Sequence, residues 1–434
     1  MKLFQQMLVA SAALSLIAPM GAQASDINIE EIDTYVRKQS SSKKRLNSNS
    51  FSNEIANLKQ KVDSTVVHLN QFEAGSFSET TTLDGKVIMA LGGIDGSDEL
   101  DASDDSSVTF NSVYQMNLNT SFSGDDNLYI RLKGGEWSDE WQMKGSTYHI
   151  DAKDSADASG NIALNVDKIW YSFPIGESIT ATVGPKIENY YMLAATPSVY
   201  KPGALKAFKL GGHSSAFGAS TSTGAGLKYE ADNGFASSIT VNSKGASGSS
   251  GLLTDEDENK VNTMVAYTAD QYHLSVTYSK QHNGWDAWSY YATTDAASDS
   301  SIDSADAYAF RAWWRPEETG TAVPSISVGY DVINFDGHDL AEDASGYMVG
   351  LNWQDTFQPD DRIGLAVGSV LSIDEHVAGA SDLSEVDPFL WELYYSFKPN
   401  DSILITPAIF GGSDVENDTD DDILGAVVTT TFKF

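Results

Sequence analysis

From Val108 to Phe122 the residues Val108, Phe110, Tyr114, Met116, Leu118 and Phe122 fall on one face of an extended chain, and Asn111, Gln115, Asn117, Asn119 and Ser121 fall on the other. A period of two predicts a strand with one apolar and one hydrated side. The same alternation runs through Leu274/Val276/Tyr278, Tyr308/Phe310/Ala312/Trp314, Tyr347/Val349/Leu351/Trp353, Trp391/Leu393/Tyr395/Phe397 and Ile403/Ile405/Ile409. In the last stretch Leu424, Ala426, Val428, Thr430, Phe432 and Phe434 share a face, so the sequence ends inside a strand. Sixteen candidate strands begin near Thr82, Val108, Asn127, Asn161, Ser178, Gly224, Phe235, Lys260, Tyr272, Ala305, Val323, Gly346, Asp361, Pro388, Ser402 and Ile423. An even number suits a closed barrel.

The connections alternate in length. Short ones at 123–126, 174–177, 231–234 and 399–401 separate long polar loops, the rhythm of tight turns on one rim and long loops on the other. A soluble sandwich or propeller would share the alternation of the strands. The loop rhythm, the terminal strand and an export signal together favour an all-β, 16-stranded antiparallel transmembrane β-barrel over 80–434. The signal is Lys2, the apolar stretch from Met7 to Pro19 and the small residues Ala22-Gln23-Ala24, which predict a signal peptide over 1–24. The expected location is the cell outer membrane, with its lipid bilayer as partner.

Two segments precede the barrel. Residues 25–52 form a polar basic linker carrying Arg37, Lys38, Lys43, Lys44 and Arg45, which suits either contact with an anionic polymer such as peptidoglycan or a solvated spacer. Over 53–75, Ile55, Leu58, Val62, Leu69 and Phe72, with Thr65 in the remaining seam position, predict a short coiled-coil helix. A single amphipathic helix lying on the barrel is the competing reading.

Composition narrows the function. The formal net charge of −34 argues against nonspecific nucleic-acid binding, and the 41% hydrophobic and 11% aromatic content argues against a disordered acidic chain. The absence of cysteine removes disulfides and thiolate metal sites. Acid gathers in two long loops, at Asp95, Asp98, Glu99, Asp101, Asp104 and Asp105 and at Asp414, Glu416, Asp418, Asp420, Asp421 and Asp422. Neither follows a calcium-loop spacing, so no metal and no cofactor is expected; capture of cations at the mouth and simple mutual repulsion both fit.

The long connection 187–223 is different, with Lys201, Lys206, Lys209 and His213 against the single acid Glu188. Folded into the barrel, such a loop would narrow the channel and place positive charge at the constriction. Tyr190, Tyr191, Tyr200 and Phe208 would give it apolar surface to pack on the inner wall. Arg131, Lys133, Lys168, Lys186, Lys228 and Arg311 lie on polar strand faces and are candidates to line the lumen, either as an anion-favouring wall or as neutralising partners of acids such as Glu230 and Glu392. His273 and Ser275, two apart on one strand, have the spacing of a base and a nucleophile. An outer-membrane hydrolase must meet lipid, and here Leu274, Val276 and Tyr278 take that side, so no catalytic residue is assigned.

The segment Leu58-Lys-Gln-Lys-Val-Asp63, then Gln71-Phe-Glu-Ala-Gly-Ser-Phe-Ser78 and Thr80-Thr-Thr-Leu-Asp-Gly-Lys86, resembles the junction of coiled coil and first strand in the porins of cyanobacteria, which are classed with carbohydrate-selective porins and described as iron-uptake porins. The leader from Met1 to Ala10 resembles those of marine picocyanobacterial members. Members usually carry an S-layer-homology domain before the coiled coil, where this chain has only the linker. The resemblance implies a trimeric 16-stranded channel passing inorganic ions and small hydrophilic solutes, iron and sugars among them. The main alternative is a plugged structural or receptor barrel working through its external loops. A sugar-specific channel would need aromatic rings along the constriction, for which Tyr190, Tyr191 and Tyr200 are the candidates.

Overall fold

The computed structural model describes residues 80–95, 108–136, 164–212, 216–217, 221–245, 251–285, 303–337, 341–369, 371–377, 387–414 and 422–434. The expected signal peptide, linker and coiled-coil helix, and most of both acid-rich loops, lie outside these residues.

Alternating side chains make strands almost throughout. In chain order they are β1 (Thr81–Asp95), β2 (Thr109–Thr120), β3 (Asn127–Glu136), β4 (Asn165–Ile175), β5 (Ile179–Ile187), β6 (Ser222–Glu230), β7 (Phe235–Ser243), β8 (Asn259–Thr268), β9 (Tyr272–His282), β10 (Ser304–Trp314), β11 (Ser325–Asp336), β12 (Ala341–Gln354), β13 (Arg362–Gly368), β14 (Ser372–His376), β15 (Phe389–Asn400), β16 (Ile403–Ser413) and β17 (Ile423–Lys433). Every pairing is antiparallel, and β1 pairs with both β2 and β17, which closes the sheet. β13 and β14 share one position, both pairing with β12, so the barrel is closed and 16-stranded. Among the described residues no helix is long and apolar enough to cross a membrane.

The predicted starts agree with this architecture to within a few residues. β12 is longer than expected because its first half pairs irregularly with β14. The break between β13 and β14 has a local cause. The Tyr347 N–H donates to the Ser369 hydroxyl at 3.1 Å while the Ser369 N–H bonds the Tyr347 carbonyl, so a side chain replaces a main-chain acceptor in the ladder.

The outward face is apolar, with Phe110, Leu274 and Leu424 each more than half exposed, as a lipid-facing surface requires. Aromatic pairs collect at the rim of the short turns, among them Tyr229 with Phe235 and Tyr267 with Tyr272. At the seam the Gly85 N–H donates to the Phe434 carbonyl at 2.8 Å, and the Phe434 N–H returns a bond to the Gly85 carbonyl. The Phe434 ring lies over Gly85, where a Cβ would come within 2.6 Å of it, and stacks with Tyr114. A glycine is needed there to seat the ring.

Two turns on this rim use one device. Asp126 accepts the Phe122 and Ser123 N–H groups at 2.9 and 2.7 Å and the Tyr171 hydroxyl of β4 at 2.7 Å. Asp361 accepts the Thr356, Phe357 and Gln358 N–H groups and the Tyr395 hydroxyl of β15. In both turns an exposed Phe, Phe122 or Phe357, sits beside that tyrosine. The Ser123 N–H, and then the hydroxyls of Tyr171 and Ser121, hold the Asp126 carboxyl well below the usual carboxylate range. A lowered folded-state value stabilises above the unfolded value and is lost as pH falls. The difference in urea midpoint between Asp126→Asn and the parent should therefore be constant near neutrality and shrink below about pH 4. Gly85→Leu should lower the fraction of barrel that keeps its compact, heat-modifiable mobility in gels, because the side chain displaces Phe434 from the seam.

Candidate functional site

The residues between β5 and β6 turn into the barrel, and apolar packing with buried polar ties holds them there. A 3-10 turn at Asn189–Met192 starts the loop, and Met192 packs with Trp170 and Ile187. Farther on, Ala204, Leu205, Ala207 and Phe208 are fully buried with Ala90, Val113, Met348, Leu390, Phe410 and Val427, so the loop reaches β1, β2, β12, β15, β16 and β17. Ala216 and Phe217 pack on the alanines of β10. Those inner positions are small because the loop occupies the space in front of them.

Glu392 on β15 makes the densest tie. Its carboxylate accepts the Tyr200 hydroxyl at 2.6 Å and the N–H groups of Gly203, Ala204 and Leu205 at 3.1, 2.8 and 2.7 Å. Glu392 is fully buried and neutralises no lysine; it holds loop backbone. On β10 the Arg311 Nη2 donates to both carboxylate oxygens of Asp331, at 2.9 and 2.8 Å, and its Nε donates to the Leu210 carbonyl at 2.9 Å. The loop runs so close to β11 there that a Cβ at Gly329 would strike the Gly211 carbonyl oxygen. The Trp313 indole N–H donates to the Thr196 carbonyl, and the Tyr394 hydroxyl to that of Lys201.

The predicted constriction residues separate into anchors and lumen groups. Tyr200 is 3% exposed and Lys206 is 5% exposed, so neither presents itself to a passing solute. Burial also pushes the Tyr200 hydroxyl well above its ordinary value, with the Glu392 charge adding to it. The Tyr190 and Tyr191 rings lie 4.5 Å apart and tilted, Tyr191 lies 4.8 Å from Trp170, and Trp170 stacks on Tyr129 at 4.1 Å. Of these rings Tyr191 is the most open, at 39% exposure. Lys209 lies over the Tyr190 ring at 4.8 Å. Lys201 is exposed and borders a cavity of about 470 Å³ together with Arg362, Tyr394, Lys398 and Lys433. A second cavity of about 550 Å³, lined by Gln271, Arg315, Glu317, Asn352 and Gln354, shares Gln354 with the first.

The predicted lumen-lining cations also divide. Arg311 is buried against Asp331, Lys168 is buried against Glu188, and Lys228 pairs with Glu230 at 2.8 Å. Arg131 pairs with Asp167 at 2.7 Å and Lys133 is 7% exposed. Lys186 departs from the pattern: it registers with Ile169, opposite the face of Lys168, and its exposed amine donates to the Val166 carbonyl at 2.8 Å. Sequence reasoning passed over Lys86, Arg362 and Lys433. Their signal was parity, since Lys86 shares a face with Asp84, and Lys433 alternates with the outward Phe432 and Phe434.

His273 and Ser275 do come together, with Nε2 and Oγ 2.9 Å apart. Nδ1 lies 2.7 Å from the Thr268 hydroxyl, the ring stacks on Trp313, and the histidine is 1% exposed. The pair is part of the packed wall behind the loop.

A closed barrel with an apolar outside, a polar inside and a loop folded across the interior is a porin. The family profile described as carbohydrate-selective porin, OprB family, matches residues 38–434, and the chain belongs to that family. A protein of Nostoc described as uncharacterised is 24% identical, over 88% of this chain and 70% of its own length. Among solved structures, OprB of Pseudomonas putida at high pH superposes with a TM-score of 0.56 at 12% identity, covering 82% of this chain and 94% of that one. OmpT of Vibrio cholerae lacking loop L8 gives 0.51 at 11%, covering 82% and 99%. Salmonella typhi OmpF with daunomycin gives 0.51 at 12%, covering 82% and 97%. At these identities the superpositions establish the fold, while the family match makes the chain a porin for small solutes, a channel of the outer-membrane type.

Glu392→Ala would leave the buried Tyr200 hydroxyl and three loop N–H groups without an acceptor, at a cost of at least about 3 kcal/mol. Limited proteolysis of the reconstituted variant should show cleavage near residues 200–205 that the parent resists, with flickering single-channel current.

Proposed function

We propose that this porin passes small hydrophilic solutes by passive diffusion through a constriction formed by the 187–223 loop, and that the constriction favours anions. The observation that supports the reading is the exposed Lys201 of the loop, which shares a cavity with Arg362 and Lys433 as well as with Asp355, Asp360 and Asp361, of which Asp360 is paired with Lys398 and Asp361 is taken up by its own turn. Burial and the charges of Arg362 and Lys433 also hold the Lys201 amine below its ordinary value, the sign of like charges gathered in one place. Field lines concentrate in a narrow aqueous passage with low-dielectric walls, so a few unpaired cations set its selectivity.

Sugars fit as uncharged solutes of the same passage, with the open face of Tyr191 available for stacking; Tyr200 serves as an anchor. Iron and other inorganic cations form a second reading, supported by the acid-rich loops of the sequence, which would concentrate cations at the mouth. A homotrimer in the outer-membrane bilayer follows from the resemblance of the junction before β1 to trimeric porins.

Reconstituted in a planar bilayer across a salt gradient, the protein should give steady conductance in steps of three and an anion-favouring reversal potential. Lys201→Gln with Lys209→Gln should move that potential toward cations. An unmoved potential would remove the loop lysines from the constriction, and a silent inserted protein would point to the plugged barrel.

A further inference from the structure

The register of the closing seam contains a charge conflict. Lys86 of β1 and Lys433 of β17 are direct cross-strand partners, so their side chains leave neighbouring strands on the same inner face. Like charges placed directly opposite in an antiparallel pair destabilise it. On the other side of Lys86 the row continues through Gln115 of β2 to Lys133 of β3, which adds a third lysine on four adjacent strands. Arg131 of β3 and Lys209 of the inward loop also lie within electrostatic reach of Lys86.

The nearby acids do not resolve the conflict. Asp84, two residues from Lys86, accepts the Asn117 and Asn119 side-chain amides at 2.6 and 3.1 Å. Asp167 is taken by Arg131 and Lys168, and Glu188 by Lys168. Among the described residues, neither the Lys86 nor the Lys433 amine has an acid or hydrogen-bond partner. Leaving Lys133 aside, because it has interactions of its own, Lys86, Arg131, Lys168, Lys209 and Lys433 against Asp84, Asp167 and Glu188 leave a local excess of two positive charges. Uncompensated cations on a half-buried wall want a compact, multiply charged anion with several acceptor oxygens, and ammonium groups suit such an ion as point charges.

We propose that the Lys86–Lys433 pair, with Lys133, Arg131 and Lys209 around it, is a binding step for a tetrahedral oxyanion, a phosphate or a phosphate ester, on the lumen wall of the seam. This deepens the anion-favouring reading and rests on it. Occupancy of the step would also relieve the repulsion between β1 and β17, so the solute and the closure of the barrel are coupled.

The test uses the full-length protein in planar bilayers carrying chloride current, titrated with inorganic phosphate, sulfate and a hexose phosphate in separate arms. Phosphate should block chloride current with a saturating, sub-millimolar midpoint. Lys86→Gln and Lys433→Gln should each raise that midpoint at least tenfold. Lys280→Gln, on the outer face and paired with Asp306, should stay within twofold of the parent. Equal block by sulfate would keep the step as a general oxyanion site, and block by the hexose phosphate would extend it to esters. Anion selectivity with no saturable phosphate block, or block unchanged in both lysine variants, overturns this proposal and leaves the anion-favouring porin standing. Cation selectivity of the parent overturns both. Heat-modifiable mobility of each variant in gels shows that its barrel is closed before it is tested.

Discussion

In hydrocarbon every main-chain N–H and C=O must find its partner inside the protein, and that requirement organises this molecule. An open sheet would leave two strand edges facing lipid, so β1 must meet β17. The ten-residue register from Lys86↔Lys433 to Asp95↔Leu424 supplies that meeting, and the paired backbones of Gly85 and Phe434 extend it to the end of the sequence. Once the sheet is closed, alternation alone sends Phe110, Leu274 and Leu424 outward and their neighbours into the lumen.

Closure also creates the interior problem that the loop solves. A barrel of this size encloses water unless something enters it, and what enters here is a segment whose own backbone polar groups need partners. The wall provides them unevenly. One buried carboxylate, Glu392, collects three consecutive N–H groups and a hydroxyl, while one buried guanidinium, Arg311, is held by Asp331 and spends its Nε–H on a loop carbonyl. Between these ties, alanines and glycines on the inner faces of β10–β13 leave room for Phe208 and Phe217. The charged residues that look most like pore liners in the sequence therefore include some of the most structural ones.

The proposed charge preference rests on the cations left over. Arg131, Lys168 and Arg311 each face an acid at close range, so their fields are largely cancelled. Among the described residues, Lys86, Lys201, Lys209 and Lys433 are not paired in this way. Membership of the carbohydrate-selective porin family sets the general transport class, and the side of the lumen where these lysines gather sets the charge preference proposed for this chain.

Period-two patterning, turn spacing and the terminal apolar face determined the strand count, the side each strand shows to lipid and the antiparallel barrel. These are properties of a few residues in a row, and the bilayer enforces them without reference to anything distant. The segment 187–223 also stands out in the sequence, because four basic residues gather there against a single acid in so acidic a chain. Pairing in space was not legible. Nothing local marks Glu392 as an acceptor for residues nearly two hundred positions earlier, separates the anchor Tyr200 from the open Tyr191, or brings Lys86 opposite Lys433. Nor does it relate the turn aspartates Asp126 and Asp361 to the tyrosines that hold them. Those facts depend on register and on the path of the loop through the lumen, which exist only once the barrel has closed and every buried polar group has competed for a partner.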